Sequence, residues 1–148
     1  MKKCLIIYDS YHHGNTKKIA SAMAEACQAD LCTADEAGSR DPSGYDIIGL
    51  GSGIAAGRYY GKLRNAAEKM DLRGKQVFVF STSGTGKKGY NTRFVEQLKR
   101  AGANVVGDFA CCGFNTFGPF RLVGGISKGH PDKADLEAAG NFAREMTK

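Results

Sequence analysis

The stretch that most constrains this chain is Cys4-Leu5-Ile6-Ile7-Tyr8, a short apolar run without alternation, followed directly by a polar turn. A strand with one wet face alternates apolar and polar residues; an unbroken run must be covered on both faces. The next eight residues, Asp9 to Thr16, supply hydroxyls, two imidazoles, a Gly and an Asn. From Lys17 onward Ile19, Ala20, Met23, Ala24 and Cys27 recur at helical spacing. The stretch therefore reads as buried strand, polar turn and helix N-terminus. A helix N-terminus offers unpaired N–H groups and the positive end of its dipole, so these amides with the hydroxyls of Ser10 and Thr16 can hold a phosphate. The same residue types are also ordinary helix caps. The turn over 9–16 is neither the Gly-x-x-x-x-Gly-Lys-Ser/Thr loop nor the Gly-x-Gly-x-x-Gly fingerprint, so a mononucleotide phosphate fits it better than ATP or NAD.

The pattern repeats along the chain. Asp30–Thr33 is a weak strand, 34–44 a polar loop or brief helical turn, and 45–51 a third strand that ends in Ser52-Gly53 and a glycine-punctuated loop. Lys62 to Met70 places Leu63, Ala66, Ala67 and Met70 on one helical face. Gln76 to Phe80 is the clearest strand, and a second hydroxyl- and glycine-rich loop, 81–90, follows it. A helix over 91–101, a strand over 104–112, a long loop over 113–131 and a final helix from Asp132 complete the order. The loop 113–131 contains Phe114, Phe117, Pro119 and Phe120, which read as its own packing. Alternating strands and helices with right-handed crossovers give an α/β, doubly wound, five-stranded parallel sheet in a single three-layer domain spanning 1–148. In such sheets ligands bind beyond the carboxyl ends of the strands, where loops 9–16, 52–61 and 81–90 meet.

Composition narrows the function classes. At 148 residues, 42% hydrophobic and 24% charged, the chain suits one globular domain with a full core. Only five apolar residues separate Lys3 from Asp9, too few for a secretory signal core, and no apolar run reaches membrane-spanning length; a cytoplasmic protein is expected. The cysteines at 4, 27, 32, 111 and 112 form no Cys-x-x-Cys pair, which argues for reduced, buried thiols and against structural zinc. The net charge is +6, and between Arg73 and Arg100 seven basic residues stand against the single acid Glu96. Such a face attracts acidic proteins or nucleic acid, or is simply solvated; no nucleic-acid motif accompanies it.

With the loops placed, the whole chain resembles the flavodoxin family of small FMN-binding electron carriers. The resemblance is carried by Tyr8-x-Ser10 with Gly14-Asn15-Thr16 after the first strand, and by Gly84-x-Gly86-x-x-x-Tyr90 after the fourth. It implies a strand order of 2-1-3-4-5 and FMN as cofactor. It further implies that Ser10, Gly14, Asn15 and Thr16 hold the phosphate, and that Ser52, Gly53, Ile54 and the loop Ser81, Thr82, Ser83, Gly84, Thr85 and Gly86 edge the ring and ribityl chain. Tyr90 is the implied stacking ring, and Tyr59 and Tyr60 compete for its other face. Two departures stand out. His12 and His13 lengthen the first loop and are candidates to hydrogen-bond the phosphate. Lys87 stands where the family frequently has an Asp; because reduced flavin is an anion, a cation beside it should raise the potential.

The implied function is electron transfer between redox partner proteins, a reductase and an electron acceptor, by a monomer or weak dimer with no membrane or nucleic-acid partner. The rival is a small FMN-dependent reductase of a quinone- or porphyrin-type acceptor, using Lys87, Lys88 and Arg93 to bind an anionic substrate. A third reading, a non-flavin regulatory domain, follows from the rule that fold does not fix function. Against a receiver domain, Asp9 has no second acid beside it.

Overall fold

The computed structural model describes residues 1–11, 13–114, 122 and 124–148. Five parallel strands form the sheet: β1 (Cys4–Asp9), β2 (Asp30–Thr33), β3 (Ile47–Ala55), β5 (Gln76–Ser83) and β6 (Asn104–Cys112), in the order β2-β1-β3-β5-β6. A two-residue strand, β4 (Arg58–Tyr59), pairs antiparallel with the end of β3. Without β4 the order is the expected 2-1-3-4-5. Helices α1 (Asn15–Cys27) and α4 (Lys133–Met146) cover one face, and α2 (Gly61–Lys69) and α3 (Thr92–Arg100) the other. Among the described residues no helix is long and apolar enough to cross a membrane.

The unbroken apolar run of β1 has the expected cause. Leu5 and Ile7 face the α2–α3 side with Ile48, Leu50, Val77, Val79, Leu63 and Leu98, whereas Cys4, Ile6 and Tyr8 face the α1–α4 side with Phe78, Phe80, Ile19 and Met23. Both faces of each central strand are dry, so alternation cannot develop. The sheet interior pairs small with large: Gly49 and Gly51 of β3 lie in register with Phe78 and Phe80 of β5, whose rings occupy the space above them.

The strands run further than the sequence pattern suggests. β3 continues to Ala55 and β5 to Ser83, because Ser52 pairs with Ser81 and Gly53 with Thr82 in the same ladder. The hydroxyl residues Ser52, Ser81 and Thr82 are buried strand residues, not loop. The loop read over 52–61 is a hairpin, turned by Ala56 (φ 51°) and Gly57 (φ 76°), the two left-handed positions that a two-residue hairpin turn requires. Of the loop 113–131, Phe117, Pro119 and Phe120 lie outside the described residues, as does His12.

A Cβ at Gly51 would collide with the fully buried Phe80 ring. Gly51→Ala is therefore expected to cost about 1–3 kcal/mol, the usual price of overpacking. A urea denaturation curve measures it; an unchanged midpoint would mean that Phe80 moves freely.

Candidate cofactor-binding cleft

At the carboxyl edge of the sheet the ends of β3, β5 and β6 and the N-terminus of α1 enclose a cleft of about 470 Å³, inside the range of roughly 300–1,000 Å³ typical of small-molecule sites. Its walls include Asn15 and Thr16 of α1, Gly53 and Ile54 of β3, Thr82 and Ser83 of β5, Gly84, Thr85 and Tyr90. The expected first, second and third loops therefore do meet at one place.

The start of α1 is shaped by backbone. Gly14 caps the helix in the left-handed conformation (φ 66°) and makes no side-chain cap; His13 precedes it at φ 32°. The Lys17 N–H donates to Ser10 Oγ at 3.3 Å, so Ser10 meets one first-turn amide. Lys17 and Lys18, both exposed, put positive charge in the first turns of α1, where the dipole already disfavours cations and no acid compensates. A bound anion would relieve that conflict. Thr16 is buried and shares a 2.7 Å hydrogen bond with Thr82 Oγ1, tying α1 to the end of β5.

Asn15 is the most informative side chain. Its Nδ2 donates to the Phe114 carbonyl at 2.8 Å, and its buried Oδ1 has no partner. The Phe114 carbonyl fixes the amide orientation, because the reverse would set two oxygens together. Oδ1 is thus an acceptor in a cleft wall, suited to a ligand hydroxyl and not to an anionic phosphate oxygen.

Several expected residues lie behind the lining. Ser52 Oγ donates to the Gly53 carbonyl at 2.6 Å and accepts from the Tyr60 N–H at 2.8 Å, so it braces the hairpin. Ser81 is buried beneath the floor. Gly86 (φ 67°) accommodates Cys112, whose Sγ and backbone N leave no room for a Cβ, and its N–H donates to Ser83 Oγ at 2.9 Å. The exposed His13 ring packs against Phe114 at a centroid distance of 4.3 Å.

The aromatic competition is also resolved. Tyr59 is 2% exposed, stacks on Phe94 at 4.6 Å and donates from its hydroxyl to Asn91 Oδ1, so it belongs to the core. Tyr60 lines the cleft opposite no carboxylate of the lining and lies 4.7 Å from the Tyr11 ring. Burial, followed by the charge of Asp9, pushes the Tyr60 phenol up and keeps it neutral. Tyr90, half-buried, supplies another ring.

Tyr11, Ala55, Ala56 and Gly57, inside the expected loops 9–16 and 52–61 but not singled out there, also line the cleft, and Gly113 and Phe114 join them from a segment read as loop packing. Gly113 is required because a Cβ there would strike Asn15, and its N–H bonds the Ser83 carbonyl. Phe114 is fixed by its N–H to the His130 carbonyl. Ser127 Oγ donates to the Gly84 carbonyl at 2.6 Å, so the 124–130 segment braces the cleft loop. His130, Asp132 and Asp135 bring metal-capable atoms within 4.8 Å of one another, but Asp132 and Asp135 form the capping box of α4 and His130 Nδ1 bonds Asp135.

Among the described residues, none that lines the cleft is a His, Lys, Arg, Asp, Glu or Cys. These walls can bind, orient and exclude water. Asp9, at the end of β1, is 8% exposed with one oxygen unpartnered. Its burial raises the carboxyl above its usual range, against opposing pulls from Tyr11 and Lys62. Because the folded value exceeds the unfolded one, the protonated form is favoured by folding, and this contribution is lost as pH rises through the folded value. Asp9→Asn should therefore raise the melting temperature at pH 7, with the gain shrinking below about pH 4, near the unfolded carboxyl value. Thermal denaturation across that range checks it; a loss of stability at pH 7 would show that the charge is well paired.

A family model described as flavodoxin domain matches residues 5–114. An uncharacterized protein of Methanocaldococcus jannaschii is 36% identical over 148 residues, covering 99% of both chains. Among solved structures, oxidised Flavodoxin 2 from Bacillus cereus superposes with a TM-score of 0.67 at 26% identity and 97% coverage of each chain. The FMN-bound flavodoxin of Fusobacterium nucleatum gives the same TM-score, 0.67, at 15% identity, over 99% of this chain and 97% of its own. The family model spans the chain from β1 through β6, about three quarters of its length, and the folds agree: this chain belongs to the flavodoxin domain family.

Proposed function

We propose that the chain binds FMN in this cleft and carries electrons between redox proteins, a reductase on one side and an acceptor on the other. The observation that carries the reading is the lining itself: among the described residues it has aromatic and apolar walls, a helix N-terminus and an unpartnered amide oxygen, and no acidic, basic or thiol side chain. A site so built holds a planar, phosphorylated molecule and leaves the chemistry to it. FMN supplies reversible one- and two-electron transfer when bound.

The chain's own residues would divide the binding. The first-turn amides of α1, with Ser10 and Thr16 beside them, face the phosphate, and Asn15 Oδ1 accepts from a ribityl hydroxyl. Tyr60 and Tyr90 offer faces to the ring. Gly84 and Thr85 bring backbone to the ring edge, where the Ser127 hydroxyl holds the Gly84 carbonyl. Lys87 is exposed and not among the lining residues, so solvent and salt would weaken its effect on the potential. The same placement weakens the reductase alternative, since Lys87, Lys88 and Arg93 do not enter the cleft.

Recombinant protein should be yellow or take up FMN, seen as quenching of flavin fluorescence. Tyr60→Ala and Tyr90→Ala should each weaken binding about tenfold or more, from loss of ring contact worth roughly 1.5 kcal/mol or above. A colourless protein that leaves FMN fluorescence unchanged contradicts the proposal.

A further inference from the structure

The cleft mouth is ringed by cations that the cleft itself does not use. Arg58 stands at the tip of the β3–β4 hairpin, next to the lining residue Gly57. Lys87 and Lys88 lie between the lining residues Thr85 and Tyr90, and Arg93 is in the first turn of α3. Lys128 follows Ser127, the residue that holds the Gly84 carbonyl. All five are exposed. The segments carrying Arg58, Lys87, Lys88 and Arg93 are held together because β4 packs against the 88–91 turn and α3 through the Tyr59–Asn91 hydrogen bond and the Tyr59–Phe94 stack, and the Ser127–Gly84 bond brings the segment of Lys128 to the same loop.

Their charge is poorly compensated. Lys88 lies 3.5 Å from Asp108 of β6, whereas Arg58, Lys87, Arg93 and Lys128 have no carboxylate at ion-pair distance among the described residues. Glu96, one turn along α3 from Arg93, is the nearby exposed acid in sequence. Among the described residues none that lines the cleft is acidic, and Asp9 at the end of β1 is buried.

We propose that this rim is a docking face for an acidic protein surface, which seats over the cleft mouth and brings its own redox centre to the edge of the bound flavin. The proposal rests on the FMN reading above. The geometry favours a macromolecule over a small anion: the cations sit on a hairpin tip, a loop, a helix turn and a second loop, and none points its residue into the lining set, so a ligand small enough for the cleft leaves them untouched. A broad carboxylate-rich surface meets them together, and complementary charge of this kind sets encounter rate and orientation.

The test titrates isotopically labelled, FMN-loaded protein with an oxidised acidic ferredoxin and follows amide chemical shifts. Shifts should cluster at residues 55–59 and 84–93, with the dissociation constant rising at least tenfold between about 20 and 300 mM salt. The charge-reversed variant Arg58→Glu, Lys87→Glu, Arg93→Glu should bind at least thirtyfold more weakly at low salt while keeping its flavin spectrum. The variant Lys69→Glu, Lys99→Glu, Arg100→Glu, with the same net charge but altered at the far ends of α2 and α3, should lose no more than threefold. Equal losses in both variants, shifts located elsewhere, or an unaffected first variant would overturn the docking face. So would phthalate, a small dicarboxylate, if it reproduced the same shifts with similar affinity. Absorbance at the flavin band reports loading independently: a protein that never takes up FMN refutes the functional reading, whereas a loaded protein without localised shifts refutes the docking face alone.

Discussion

The requirement that the three central strands, β1, β3 and β5, be dry on both faces governs the rest of this molecule. It turns β1, β3 and β5 into continuous apolar runs, assigns Leu5 and Ile7 to one helix layer and Ile6 and Tyr8 to the other, and confines polar residues to strand ends. At the amino end of the sheet those residues are turns and caps. At the carboxyl end the ladders of β3 and β5 extend past their apolar sections, carrying Ser52, Gly53, Ser81 and Thr82 under the cleft as paired strand residues. The site is thus the place where the sheet stops being a core and becomes a surface.

This explains what could be read from the chain. The succession of elements, the layers and the meeting of three loops follow from periodicity and glycine placement, the strand order from the family resemblance, and the turn proposed for phosphate is visible because strand, Gly14 and helix are contiguous in sequence. Contacts made across the fold were invisible. Asn15 binds Phe114 some ninety-nine residues away, Thr16 meets Thr82, and Gly113 is glycine because Asn15 fills its side-chain space. The two adjacent tyrosines could not be separated by pattern, since β4 sends Tyr59 into the core and leaves Tyr60 at the cleft. A two-residue strand has too little periodicity to announce that division.

Charge and shape divide the work between two zones. Inside, the described lining has no ionisable acid or base apart from phenols, and the orphaned Asn15 Oδ1 asks for a hydroxyl donor. Outside, exposed cations, of which Lys88 meets Asp108, are carried by the segments that border the lining. The first zone suits a neutral ring with a polyol chain, the N-terminus of α1 suits its terminal anion, and the rim acts at longer range on whatever approaches.

The account's central claim is that α1 receives a phosphate, which is most directly tested by titrating apoprotein with FMN and with riboflavin, the same molecule without phosphate. The account predicts FMN binding about a hundredfold tighter, or roughly 2.7 kcal/mol for a phosphate held by charge-assisted hydrogen bonds. Equal affinities for the two flavins would contradict it.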